Sequence, residues 1–231
     1  MINGNSFDSS YALLKNLKFV ENLIELNMNE LKIGDEGLKE LSKSFKYLKN
    51  LEFLHLNNNR ITAAGIENMK EFSNLNNLKE LNLSNNLLKA EGCSYLKFNK
   101  ILEVLNLWAN DIRVEGVKNL LSNIRSDFNL REISFSQNNI DDKEKNGKAD
   151  GMIFILKIVT NDLLNVKNIN FSSNYLNQSS FYNLIYYYPI IKSRRIHLNI
   201  CDCPSHSDLN NGVKGEFEKL SKDDGLVKFS I

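Results

Sequence analysis

The sequence is poor in proline, cysteine and tryptophan, and it has no excess of charge of either sign. Its 231 residues include 2 prolines, 3 cysteines and 1 tryptophan, and 29 basic residues balance 28 acidic ones. A chain without a strong positive field lacks the attraction of basic proteins for phosphate backbones and anionic lipid. Its apolar runs are shorter than the roughly 18 residues of a membrane span. We therefore expect neither nucleic acid nor a membrane as partner.

The scarcity of cysteine also bears on location. Cys93, Cys201 and Cys203 form an odd, sparse set that is typical of reduced thiols and not of a disulfide framework. The first twenty residues carry Asp8 and several polar residues, whereas a signal peptide has a basic start and an unbroken apolar core. These features predict a cytoplasmic protein.

Hydrophobic residues make up 42% of the chain, enough for a continuous core.

One sequence motif, LxxLxLxxNx(I/L), recurs along the chain. In several copies a glycine follows four residues later, as at Gly65, Gly92 and Gly116. The copies begin at Leu23, Leu51, Leu78, Leu102, Leu130, Val166 and, more weakly, Ser193. Most begin about 28 residues apart, and such self-similarity at a fixed period is the signature of a repeat architecture.

Each copy predicts a strand followed by a helix. Leucines at the fourth and sixth positions, with polar residues between them, have the period of two of a half-buried strand. After the glycine the apolar residues take a helical period, as in Leu38, Leu41 and Phe45. One unit cannot bury its own apolar face, so neighbouring units must stack. The ninth-position asparagines can satisfy backbone groups of the loops beneath the sheet; they are Asn59, Asn86, Asn110, Asn138 and Asn174.

These residues resemble the leucine-rich-repeat family, and the helical unit of about 28 residues resembles its ribonuclease-inhibitor-like branch. The resemblance covers residues 23 to 200. It implies an α/β fold, a leucine-rich-repeat solenoid of about seven repeats. Such a solenoid is a curved right-handed α/β superhelix with a parallel β-sheet on its concave face and helices on its convex face. We expect a single domain, 1–231, with an N-terminal capping helix (1–21), repeats (22–200) and a C-terminal cap (201–231).

The third, fifth and seventh positions of each copy point into the concave groove, since the fourth and sixth are buried. Most of these residues are small or carry amides. Trp108 stands out because tryptophan is the residue type most enriched at binding hot spots. The predicted protein-binding residues are Phe53, His55, Glu80, Val104, Trp108 and Glu132. Two alternatives remain: Trp108 can fold over its neighbours and cover the sheet, and the glutamates can form a solvated face.

Two further patterns suggest metals, and each is opposed by another feature of the sequence. His197, Cys201, Cys203 and His206 have the residue types of a zinc site. The repeat, however, assigns Cys201 to the ninth position and Cys203 to the eleventh, so we expect both thiols inside.

Residues 142–150 resemble the first half of an EF-hand calcium loop, but Ile153 occupies the place of the bidentate glutamate. We expect a solvated insertion at 141–150 instead. The sequence therefore predicts no metal and no cofactor.

Signatures of catalysis are also missing from the sequence, which has no Gly-rich phosphate loop and no Ser-His-Asp set that the fold would assemble. An open groove that water reaches is a poor place for chemistry. We predict a non-catalytic scaffold that binds a protein partner through the concave face and the adjacent loops. The resemblance implies an alternative, a regulator of a small GTPase, as in the GTPase activators for Ran, or an actin-capping protein, as in the tropomodulins. Its candidate loop residues are Asn58, Asn59, Arg60 and Arg113.

Overall fold

The computed structural model describes residues 14–69, 72, 74–124, 127–140, 152, 156, 165–176, 178–203, 211–223 and 225–228. In this part of the chain eight short strands form one open parallel sheet, and their spatial order is their order in the sequence. The strands are β1 (Glu25–Asn27), β2 (Phe53–His55), β3 (Glu80–Asn82), β4 (Val104–Asn106), β5 (Glu132–Ser134), β6 (Asn168–Asn170), β7 (His197–Asn199) and β8 (Val227–Lys228). This architecture confirms the predicted α/β solenoid.

The described helices follow the strands on one side of the sheet. They are α1 (Gly34–Ser42), α2 (Ala63–Glu67), α3 (Lys89–Tyr95), α4 (Arg113–Ser122), α5 (Gln178–Ser193) and α6 (Asn211–Asp223). Neighbouring helices pack against each other, α1 on α2, α2 on α3, α3 on α4 and α5 on α6. Right-handed strand–helix–strand crossovers of this kind place all helices on one face, so the opposite face of the sheet is left open.

The core lies between the sheet and the helices. The middle residue of each three-residue strand is buried, from Leu26 through Leu54, Leu81 and Leu105 to Leu198, and so is Val227 of the two-residue strand β8. These residues are direct partners across the sheet. Cys93 of α3 is fully buried and belongs to this core.

The glycine of the repeat is explained by the close approach of consecutive helices. A Cβ on Gly116 would lie 3.1 Å from the Cα of Ala90 in the preceding helix and 2.8 Å from the Cβ of Ile112. Both distances are shorter than ordinary carbon–carbon contacts, so any larger residue would push the two units apart. Glycine at this position therefore sets the spacing of the stack.

The ninth-position asparagines link each loop to the one before it. Asn86 is a representative case: its Oδ1 accepts hydrogen bonds from the backbone N–H groups of Asn59 and Ile61, both at 3.0 Å. Its Nδ2 donates to the carbonyl oxygens of Leu56 at 3.0 Å and Leu83 at 2.9 Å. We call the buried set Asn59, Asn86, Asn110, Asn138 and Asn174 the asparagine ladder. It satisfies backbone groups that the turning chain would otherwise bury without partners.

The predicted register of the seventh copy is wrong by two residues. Leu198, and not Ile196, lies opposite Ile169 at the fourth position. Cys203 therefore occupies the ninth position, where its buried Sγ contacts the carbonyl oxygen of Phe171 at 3.9 Å. Cys201 moves to the seventh position and is only half-buried, so the expectation that both thiols are inside fails for it.

The two ends of the solenoid are covered differently. At the N-terminal end residues 14–16 are helical, a 3-10 helix follows at Leu17–Phe19, and Leu14 and Leu17 are buried against the core. Residues 1–13 of the predicted capping helix (1–21) lie outside the described residues. At the C-terminal end α6 packs beside α5, where the rings of Phe181 and Phe217 meet edge to face with centroids 5.1 Å apart.

The predicted insertion at 141–150 also lies outside the described residues. In the apolar segment that follows it, Met152 and Leu156 are described, and both are helical and buried.

Candidate functional site

The face of the sheet opposite the helices carries the third, fifth and seventh positions of each repeat, and we call it the open sheet face. The strand register aligns these positions into three rows that run across the strands. The third-position row is Glu25, Phe53, Glu80, Val104, Glu132, Asn168 and His197. The fifth-position row is Asn27, His55, Asn82, Asn106, Ser134, Asn170 and Asn199, and the seventh-position row contains Trp108 and Cys201.

Acidic and apolar side chains alternate strand by strand along the first five members of the third-position row. Phe53 lies between Glu25 and Glu80, and Val104 lies between Glu80 and Glu132. We call these five residues the acidic–apolar row. Each is at least partly exposed, so both the carboxylates and the apolar side chains can be reached from solvent.

His55 lies between two of these carboxylates. Its Nε2 is 3.8 Å from Glu25 Oε1, and its Nδ1 is 3.8 Å from Glu80 Oε1. At this distance neither contact is a hydrogen bond, and His55 balances the negative charge only when it is protonated. The two carboxylates therefore keep most of their capacity to bind a donor.

Carboxylates one position earlier in the repeat are neutralised. Glu52 Oε2 lies 2.8 Å from Lys79 Nζ, and Glu103 Oε2 lies 3.7 Å from the Arg131 guanidinium. Glu132, by contrast, has no basic side chain within ion-pair distance among the residues that the structure describes. Within one sheet, the second-position glutamates are paired, and those of the acidic–apolar row have no lysine or arginine partner among the described residues.

Trp108 lies in the seventh-position row with 41% of its surface exposed. Its neighbours in that row, Ser84 and Ser136, are small and buried. The backbone of Trp108 is held firmly: its N–H donates to Asn106 Oδ1 at 3.0 Å, and its carbonyl accepts from the N–H of Asn85 at 2.7 Å. The indole thus protrudes from a fixed backbone.

The fifth-position asparagines have a structural role that the sequence reasoning missed. Asn27, Asn82, Asn106, Asn170 and Asn199 each accept a hydrogen bond at their Oδ1 from the backbone N–H two residues later, at 3.0 to 3.2 Å. This bond shapes the exit from the strand in the manner of an Asx turn. The recurrence of asparagine at this position was the signal available in the sequence.

The far end of the open sheet face differs in chemistry. In the third-position row Asn168 and His197 take the places that acidic and apolar side chains have on β1–β5. We call the polar set Asn168, Asn170, Ser172 and Asn199 the amide end. A shallow cleft of about 410 Å³ lies over it, bordered by His197 and by Lys228 of β8. Amides and hydroxyls give this end hydrogen-bonding capacity but no large apolar anchor.

The loop residues of the alternative function are not equally available. Asn59 is fully buried in the asparagine ladder, whereas Asn58 and Arg60 are exposed. Arg113 is exposed, and its Nε lies 3.1 Å from Asp111 Oδ1. Burial raises the pKa of Asp111, but hydrogen bonds from Asn139 and Arg113 outweigh it and lower the pKa overall.

Another exposed apolar surface lies on α5. Tyr182, Tyr186 and Ile190 recur every four residues and are 50%, 75% and 38% exposed, while Phe181, Leu184 and Tyr188 of the same helix face the core. The four-residue spacing of the exposed side chains and the similar helical spacing of the buried ones are both present in the sequence of α5, but the repeat motif does not include them.

No cluster of three or more His, Cys, Asp or Glu side chains that could hold a metal ion occurs in the described part of the chain. His206, one member of the zinc-like set, lies outside it. Burial raises the pKa of the Cys93 thiol to about 12 and that of Cys203 to about 11. Both thiols are therefore protonated and unreactive near neutral pH.

Residues 49–92 match the model of a family described as Leucine Rich repeats (2 copies). This match shows that residues 49–92 carry leucine-rich repeats, and the parallel sheet with its repeated register extends the same strand-and-helix unit on both sides of them. The match does not distinguish the ribonuclease-inhibitor-like branch. None of the curated proteins matches the sequence. Among the described residues, no helix combines the length and apolarity that crossing a membrane requires.

Three solved structures are similar at low identity. The actin-binding site 2 of leiomodin-1 has a TM-score of 0.46 at 14% identity, covering 95% of this chain and 96% of that one. The C-terminal domain of Caenorhabditis elegans tropomodulin has a TM-score of 0.41 at 15% identity, covering 82% and 97%. An internalin from Listeria monocytogenes has a TM-score of 0.33 at 16% identity, covering 97% and 73%. At these scores the similarities carry no argument about partners.

Proposed function

We propose that this protein is a non-catalytic scaffold that binds a protein partner on the β1–β5 part of its open sheet face. The anchors are Phe53, Val104 and Trp108, and His55, Glu80 and Glu132 surround them. The observation that carries the proposal is the exposed Trp108 on a backbone fixed by the Asn106 side chain and the N–H of Asn85. With its backbone already fixed, a tryptophan has only its side-chain torsions left to restrict, so it offers a large contact area at a small cost in conformational entropy.

Two features of the surface favour binding over catalysis. The open sheet face is an exposed surface and not an enclosed cavity, so water is not excluded from it. Its apolar members are separate side chains among polar ones, the arrangement of an interface that stays soluble when unoccupied.

The alternative regulator of a GTPase or of actin ends would use the loop residues. Of these, Asn58 and Arg60 are exposed, but Arg113 is paired with Asp111. We favour the open sheet face, because its β1–β5 part combines exposed apolar anchors with carboxylates that have no lysine or arginine partner among the residues that the structure describes. A purified sample that accelerates GTP hydrolysis by a candidate GTPase, or slows subunit exchange at actin ends, would favour the alternative.

The test is a capture experiment from native cell lysate with three forms of the protein. The first is wild type, and the second carries Phe53→Ala and Trp108→Ala. The third carries Asn168→Ala and Ser172→Ala, which lie in the same two rows at the amide end. Bound proteins are identified by mass spectrometry, and their affinities are then measured with purified components.

A partner that wild type and the amide-end variant retain, and that the Phe53 and Trp108 variant loses, supports the proposal. A partner that all three forms retain equally contradicts it. Loss of binding by the amide-end variant alone also contradicts it, because the contact would then lie over β6 and β7.

A further inference from the structure

We propose that the acidic–apolar row binds an amphipathic helix of the partner. On one face of this helix, basic and apolar residues alternate from turn to turn. The inference rests on the proposed function and specifies the chemistry of the partner. Its basis is the alternation Glu25, Phe53, Glu80, Val104, Glu132 across five adjacent strands.

The charge of the occupant follows from which carboxylates are already satisfied. Glu52 and Glu103 are paired with Lys79 and Arg131. In the described part of the chain, the one basic side chain near Glu25 and Glu80 is the His55 imidazole, at 3.8 Å, and Glu132 has no basic partner there. Basic side chains of a partner would complete these three sites, and complementary charge raises both specificity and association rate.

The apolar members of the row require apolar residues between the basic ones. Phe53 and Val104 are partly exposed and occupy the strands between the glutamates. A basic side chain held over either of them would be removed from water without an acidic partner, which is unfavourable. An apolar side chain there would bury surface on both sides.

The spacing of the row favours a helix over an extended chain. Neighbouring strands lie about 4.8 Å apart, and one turn of an α-helix rises about 5.4 Å, so a helix across the strands drifts by only about 2 Å over the whole row. In an extended chain the residues of one side recur about every 6.7 Å, and the drift reaches about 8 Å. A helix can therefore place one residue per turn over each strand, whereas an extended segment is out of register with the row after two strands.

The expected partner sequence follows directly. On a helix the residues facing the row are i, i+4, i+7, i+11 and i+14, so Lys or Arg is expected at i, i+7 and i+14, and apolar residues at i+4 and i+11. The contact spans roughly 15 residues of helix. This is the groove-binding mode of an amphipathic helix, with charge added at alternate turns.

The proposal is tested with synthetic helical peptides of about 18 residues, followed by fluorescence anisotropy. The probe carries lysine and leucine in the spacing above. One control peptide has glutamate in place of lysine, and another has the same composition with the leucines moved to the opposite face. Each peptide is titrated with wild type, with the triple variant Glu25→Gln, Glu80→Gln, Glu132→Gln, and with the matched control Glu52→Gln, Glu103→Gln. Circular dichroism checks that each variant is folded.

We expect wild type to bind the probe at least about tenfold more tightly than either control peptide. The triple variant should lose about tenfold in affinity, because three exposed ion pairs are removed, and the matched control should stay within about twofold. Raising the salt concentration from about 50 to about 500 mM should weaken binding to wild type more than to the triple variant.

Absence of probe binding overturns the proposal, and so does equal binding of the probe and a control peptide or equal affinity of wild type and the triple variant. The captured native partner separates this failure from a failure of the proposed function. If that partner is lost with Phe53→Ala, Trp108→Ala but is unaffected by the triple variant, the scaffold function stands and the basic helix is wrong. If neither set of substitutions affects it, both proposals are wrong.

Discussion

The two ends of the open sheet face have the same backbone and different side chains. Over β1–β5 the third-position row alternates carboxylates with Phe53 and Val104, and Trp108 protrudes from the seventh-position row. Over β6 and β7 the same rows carry Asn168, Ser172 and a half-buried Cys201. The repeat therefore determines the direction of the side chains on the open sheet face but not their residue type. A large or charged residue among the small polar ones marks a candidate contact.

The support beneath the two ends also differs. Under β1–β6 the asparagine ladder bonds each loop to the one before it. Under β7 the ladder position is Cys203, whose longer sulfur contacts replace the amide bonds. A thiol is a weaker donor and acceptor than an amide, so the loop at the amide end is held less firmly.

The largest predicted effect comes from breaking the ladder beneath Trp108. Asn110→Ala should lower the free energy of unfolding by about 3 kcal/mol, because the N–H of Leu88 and the carbonyls of Leu83 and Leu107 lose a buried partner. Cys203→Ala should cost only about 1 kcal/mol. Urea unfolding of both variants measures the difference. Equal losses would show that the two ends are supported alike.

The next effect concerns binding. Trp108→Ala should weaken binding of the captured partner by about 2 kcal/mol, and its circular dichroism should be unchanged because the side chain is largely outside the core. Ser172→Ala, in the same row at the amide end, should change affinity by less than about 0.5 kcal/mol. Isothermal titration calorimetry compares the two variants. If Trp108→Ala falls within the error of wild type, the indole only covers the sheet.

The smallest effect is a dependence of stability on pH. Burial raises the folded-state pKa of Cys93 to about 12, so the thiol stays protonated in the folded state while the unfolded chain loses its proton above about pH 9. The stabilisation is complete below that pH and is lost as the pH rises toward 12.

Between about pH 8 and pH 10, wild type should therefore lose about 1 kcal/mol more stability than Cys93→Ala, in urea unfolding at each pH. Parallel pH profiles for the two proteins would contradict this.

Most of the fold could be predicted because the repeat motif determines its own register. In five copies the ninth-position asparagine and the apolar residues at the fourth and sixth positions together allow only one alignment. In the seventh copy Ile196, Leu198 and Ile200 are all apolar at alternate positions and all buried, so a shift of two residues leaves the pattern unchanged. Strand pairing decides the register there, and pairing is a contact between distant parts of the chain.

Less of the candidate site could be predicted. The direction of Trp108 and of the third-position row follows from the period of two. The position of His55 between Glu25 and Glu80, and the pairing of Glu52 with Lys79, depend on side-chain conformations across strands. The cleft at the amide end depends on how β8 and α6 close the solenoid, and local sequence does not encode that arrangement.

The most direct test of the account is thiol footprinting at matched positions of the seventh-position row. Cys201 provides a native thiol at the amide end, and Asn57→Cys introduces one beside the acidic–apolar row at a similarly half-buried site. Reaction rates with a thiol reagent are compared in the free protein and with saturating partner. If the partner covers the β1–β5 part of the open sheet face, the reaction rate of the thiol introduced by Asn57→Cys should fall at least about tenfold. Cys201 should react at the rate of the free protein. Protection of Cys201 with no protection at position 57 would contradict the account.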